Sequence, residues 1–189
     1  MPMKILVNNN EKINIINKSR FIGIVKKVMT KAEALDYLNE IKNKYSDATH
    51  ICYAYNILNT QKYSDDGEPE GTAGLPILDI LKKNNLDYTI AIVIRYFGGI
   101  KLGSNGLVRA YSGIISELVK DNTKDIEEAY LIHIEEDYNN SDLLNYLLKD
   151  AEIIKKEYQE KIKIDVIIKK KTLDNLSNVH YNIMEERII

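Results

Sequence analysis

The spacing of apolar positions changes several times along the chain, and each change marks an element. Ile13–Ile16 and Phe21–Val28 are short extended runs. From Lys31 to Tyr45 the spacing becomes helical, with Leu35, Leu38, Ile41 and Tyr45 recurring three or four positions apart. Thr30 and Glu33 form a capping box ahead of that stripe: the hydroxyl can take the third amide while the carboxylate reaches back. His50–Ile57 reads as a strand. The polar stretch SDDGEPEG then leads to a helix starting near Thr72, with Leu75, Leu78 and Leu81 on one side and Pro76 early enough to be tolerated. Thr89–Tyr96 is almost continuously apolar, as expected of a strand covered on both faces. Phe97–Asn105 is a glycine-rich loop, and Gly106–Lys120 predicts a helix packing Leu107, Tyr111, Ile114 and Leu118.

A polar link, DNTKDIEE, separates this half from a second one. There the pattern predicts strand Ala129–Glu135, helix Ser141–Asp150, strands Glu152–Tyr158 and Lys161–Lys169, and helix Leu173–Glu186. Ile162, Ile164, Val166 and Ile168 alternate to one face, and a two-residue turn near Gln159-Glu160 joins the last two strands as a hairpin. This β-α-β-β-α order is a ferredoxin-like sandwich without its closing strand. The fold class is therefore α+β in two modules, residues 1–120 and 126–189.

Composition sharpens that division. The chain has 189 residues, 44% of them hydrophobic, and a formal net charge of -2, which argues against a strongly basic nucleic-acid binder. The charge is uneven: residues 1–120 hold 16 Lys+Arg against 12 Asp+Glu, whereas residues 121–189 hold 10 against 16. Only the first module leans toward anionic partners. Cys52 is the single cysteine, so no internal disulfide is possible. The opening MPMKILVNNN has too short an apolar run for a signal peptide, and no stretch reaches the roughly eighteen apolar residues of a membrane span. The expectation is a soluble, cytoplasmic protein without a membrane partner. Its oligomeric state is not fixed by the pattern.

Eight of the nine glycines fall between Gly67 and Gly113, which places the unusual backbone, and the candidate chemistry, in one window. Asp65, Asp66, Glu68 and Glu70 crowd carboxylates into six positions. Oxygen ligands at this density suit Mg²⁺ or Ca²⁺; the same groups suit the positive end of the helix that follows, at which Thr72 stands. RYFGGIKLGSNGLVRAY offers the reverse charge. A buried strand ends in Gly98, Gly99, Gly103 and Ser104 before a helix begins, with Arg95, Lys101 and Arg109 around it. Backbone amides converging on a helix start favour a phosphate or carboxylate. The spacing is neither a Walker A motif nor G-x-G-x-x-G, and a tight turn would also use these glycines. His50 and Cys52 share a strand face. No second Cys/His pair stands at zinc spacing, so His50 is read, with Tyr53, as part of a pocket rim. Tyr53, Tyr55, Tyr96 and Tyr111 beside arginines could stack bases or fill the core.

The words KSRFIG (Lys18–Gly23), ATHICYAY (Ala48–Tyr55), SDDGEPEGTAGLPIL (Ser64–Leu78) and VIRYFGGIKLGSNGLVRAY (Val93–Tyr111) together resemble the IMPACT/YigZ family. Leu75 stands where a basic residue is common in that family, and Asn105 where glycine is usual. The resemblance implies a first module like the second domain of ribosomal small-subunit protein five. It implies a second module like domain V of elongation factor G. It also implies a link to translation, since eukaryotic relatives act in translational control by binding a regulator of an initiation-factor kinase. The leading expectation is a non-enzymatic protein binding RNA or a ribosome- or translation-associated partner through the Arg95–Arg109 loop. The alternative is a small-molecule enzyme in which Asp65, Asp66 and Glu68 hold Mg²⁺ and the glycine-rich loop holds phosphate.

Overall fold

The computed structural model describes residues 3–58, 60–177 and 179–189. The chain divides into two compact units, one reaching to Asp125 and one spanning Ile126–Ile189.

The first unit contains, in order, β1 (Lys4–Leu6), β2 (Asn10–Ile16), β3 (Ser19–Lys27), α1 (Lys31–Lys44), β4 (His50–Ile57), β5 (Thr60–Ser64), α2 (Gly74–Lys83), β6 (Thr89–Tyr96), α3 (Ser104–Val119) and β7 (Thr123–Asp125). Five strands form an antiparallel sheet in the order β2-β3-β6-β4-β5. β6 lies at its centre and is buried from Thr89 to Arg95, which explains its unbroken apolar run. Side chains alternate across the sheet. Phe21, Val25, Cys52, Ala54, Ala91 and Val93 face α2 and α3 in one core cluster. Their neighbours Ile51, Tyr53, Ile92 and Ile94 are buried outside that cluster, on the face toward α1. α1 begins as its sequence requires, with the Glu33 amide donating to Thr30 Oγ1 at 3.1 Å. The Glu33 carboxylate reaches back to the Met29 amide at 2.8 Å. The short β1 pairs with β7, beyond the boundary expected at residue 120.

The second unit contains β8 (Glu128–Glu136), α4 (Ser141–Leu147), β9 (Glu152–Tyr158), β10 (Ile162–Lys169), α5 (Lys170–Leu173) and β11 (Tyr181–Ile188). Its sheet runs β11-β8-β10-β9. This corrects the expected terminal helix over Leu173–Glu186, of which Asn178 lies outside the described residues. The helix is a single turn, and the segment from Tyr181 is the closing strand, antiparallel to β8. The ferredoxin-like sheet is therefore complete. The misreading has a physical cause: β11 is an edge strand with a register shift between Ile183 and Glu185. That shift breaks the period-two pattern by which strands are recognised. Ile132, Ile134, Ile164, Val166 and Leu176 form the unit's core.

No helix among the described residues is long and apolar enough to cross a membrane.

Candidate functional site

One end of the first unit's sheet gathers the glycine-rich and acidic segments. Strand register sets Phe21, Arg95 and His50 side by side across β3, β6 and β4. Above this row the chain leaves β6 through Phe97–Gly103 and enters α3. Gly98 is required there: a Cβ would lie 2.1 Å from the Lys18 carbonyl carbon and oxygen. Gly103, at φ 71°, caps α3 with no side-chain hydrogen bond, so the first-turn amides receive no side-chain acceptor.

Arg95 does not point to solvent. Its guanidinium lies 5.4 Å from the Phe21 ring centre and 5.3 Å from that of Phe97. Nη1 donates to Glu68 Oε1 at 2.5 Å, and Nη2 approaches Ser19 Oγ at 3.4 Å. The Tyr111 hydroxyl, from α3, donates to the same Glu68 oxygen at 2.7 Å. The Glu68 and Arg95 side chains are 3% and 5% exposed, which makes this a buried ion pair. Arg95, expected as a ligand-site cation, lines the cleft with its charge matched inside the protein by Glu68.

Three carboxylates of the acidic loop, those of Asp65, Asp66 and Glu68, also have partners within the protein, whereas Glu70 is exposed. Asp65 accepts hydrogen bonds from the amides of Gly71, Ala73 and Gly74 at 2.8–3.0 Å and so anchors the start of α2. Asp66 accepts from the Ile51 amide at 2.6 Å. With Glu68 held by Arg95 and Tyr111, the three carboxylates expected to hold Mg²⁺ are committed to separate partners. Among the described residues no group of three or more His, Cys, Asp or Glu is placed to hold a metal ion. The Thr72 hydroxyl donates to the Pro69 carbonyl at 2.6 Å and closes the loop.

His50 Nδ1 lies 2.8 Å from the Asp66 carbonyl, to which only an N–H can bond. The carbonyl therefore takes a proton on Nδ1, and Nε2 stands 4.0 Å from Glu68 Oε1 on the cleft side. Cys52 donates to the Asp65 carbonyl at 2.9 Å, and burial pushes its thiol far above the usual range. Burial, then the neighbouring Cys52 and Glu68, likewise raises the Tyr111 phenol. Tyr53 is removed from the rim altogether: it faces the opposite side of the sheet from His50 and stacks on Tyr55 at 6.5 Å.

These residues surround a cleft of about 420 Å³. Its wall includes His50, Glu68 and Arg95, and its mouth carries Phe97, Lys101, Gly103 and Ser104. The acidic and glycine-rich segments thus line one cavity. Lys101 is exposed and makes no ion pair among the described residues. Gly98 and Gly99 shape the loop without lining the cavity. Arg109, one turn into α3, lines a separate hollow of about 320 Å³ with Asn17 and Leu102. Two features escaped the sequence pattern. Phe97 is 46% exposed at the mouth, and Arg20 stacks over the Tyr96 ring at 4.3 Å. Tyr96 in turn donates to Asp47 at 2.8 Å. The register Arg20↔Tyr96, set by the β2–β3 turn and the β3–β6 pairing, was the missing information.

An α/β unit with a cleft at its sheet end, followed by a ferredoxin-like unit, defines a two-unit α+β protein. The Impact N-terminal domain family model matches residues 17–119. The IMPACT family member YvyE of Bacillus subtilis is 39% identical over 169 residues, covering 86% of this chain and 78% of that protein. An IMPACT family member of Haemophilus influenzae is 34% identical over 171 residues, covering 86% and 83%. A crystal structure described as that of a hypothetical protein covers 98% of each chain at TM-score 0.62 and 27% identity. The chain belongs to the IMPACT family.

Proposed function

We propose that this protein is a cytoplasmic, translation-associated binding protein that takes a single-stranded segment of RNA at the mouth of the first unit's cleft. The observation that carries this reading is the placement of exposed Phe97 beside unpaired Lys101 and the uncapped first turn of α3. A base can stack on the ring, while its phosphate meets the helix amides and the ammonium group. Of the acidic segment's carboxylates, that of Glu68 alone lines the cleft, and its charge is matched by Arg95, while Asp65 and Asp66 accept from backbone amides. The second unit, poor in Lys and Arg relative to Asp and Glu, would not itself attract a polyanion. The translational setting comes from the family resemblance.

The test is fluorescence anisotropy with a labelled single-stranded RNA across a salt series. Phe97→Ala should weaken binding at every salt concentration, and Lys101→Glu should both weaken it and flatten the salt slope by about one. Binding indifferent to both substitutions, or binding that maps to residues 126–189, overturns the assignment.

A further inference from the structure

The two larger sheets present four edges, and three of them are short or interrupted. β5 has five residues, and the pairings of β9 and β11 each contain a register shift. These are the usual devices against strand addition. β2 has neither. It runs seven residues in continuous register with β3 and, among the described residues, pairs with nothing on its other side.

The turn that joins β2 to β3 consists of Asn17 and Lys18, both at positive φ (47° and 64°), and it closes on the pair Ile16↔Ser19. A two-residue turn closes on a hydrogen-bonded pair, and such pairs alternate along the ladder. The amides and carbonyls of Glu11, Ile13 and Ile15 therefore point outward. The same three residues share one face, since Lys12 and Asn14 turn the other way to meet Glu117 on α3. Ile13 is 54% exposed and Ile15 74%.

We propose that β2 is a homodimer interface, pairing antiparallel with β2 of a second copy about a two-fold axis at Asn14. In this register Ile13 of each copy opposes Ile15 of the other, so all four isoleucines cover one another on one face. The outward groups of both residues are hydrogen-bonded in each copy. Charge selects the same arrangement: Glu11 of each strand comes beside the Asn17-Lys18 turn of its partner, and no like charges are opposed. A seven-residue edge buries little surface, so association is weak and depends on protein concentration. The proposal is independent of RNA binding.

Sedimentation equilibrium on the full chain over a wide concentration range should show a monomer–dimer equilibrium. Ile13→Lys and Ile15→Lys, both at exposed positions, should keep the circular dichroism spectrum and raise the dissociation constant about tenfold or more. Asn14→Cys supplies the positional test. A non-hydrogen-bonded antiparallel pair on the axis has Cα atoms about 4.5 Å apart, within disulfide range, and the only native cysteine is buried. This variant should oxidise to a covalent dimer, whereas Ile154→Cys on β9 should not. An unsubstituted chain that stays monomeric at every concentration overturns the proposal. So does a dimer that the two lysine substitutions leave intact.

Discussion

The acidic segment Asp65–Glu70 and the glycine-rich segment Phe97–Ser104 look like mirror images in sequence, one crowded with carboxylates and the other flanked by cations. In the folded protein they are opposites in another sense. Asp65, Asp66 and Glu68 of the acidic segment bond internally, to three amides at the start of α2, to the Ile51 amide and to Arg95. The glycine-rich segment keeps Lys101 and the first turn of α3 unspent at the cleft mouth. Most of the dense charge thus holds the loop together, while the sparse charge beside the uncapped helix has no ion-pair partner among the described residues.

Four substitutions test that contrast, in decreasing order of effect on stability. Glu68→Ala strands a buried guanidinium whose Nε already lacks a partner. It should cost about 3–5 kcal/mol in denaturant unfolding. Arg95→Ala should cost a similar amount, and the two should be strongly non-additive in a double-mutant cycle. Additive losses would show that the ion pair is not one unit. Asp65→Ala should cost about 1–2 kcal/mol, since it removes a cap-like acceptor of several amides. An unchanged midpoint would mean that water replaces the carboxylate and the segment is not scaffolding. Lys101→Glu should shift stability by no more than about 0.5 kcal/mol. A large loss there would reveal a structural role and erase the distinction between the two segments.

Much of the fold was legible because the central elements carry strong local signals. β6 is covered on both faces and reads as an unbroken apolar run, and α1 announces its start with Thr30 and Glu33. Legibility failed where the deciding interaction is distant in sequence. β11 depends on pairing with β8, and its interior register shift hides the alternation. The cleft's side-chain arrangement is less legible, because it depends on which residues the strands and loops turn toward one another. Charge alone gave Arg95 the same standing as Lys101, although only strand register reveals that Arg95 faces Glu68. Tyr53 was placed beside His50 although the side-chain period of two sends it to the opposite face.

The pairing of β1 with β7 has a consequence for synthesis. The ladder partner of Lys4–Leu6, Thr123–Asp125, is translated more than a hundred residues after them. At ordinary elongation rates that delay is on the order of ten seconds. The β2–β3 hairpin, closed by its own two-residue turn, needs no such wait. Nascent chains should therefore acquire the hairpin before the β1–β7 clasp, leaving Ile5 and Leu6, both buried in the finished unit, exposed to chaperones in the interval.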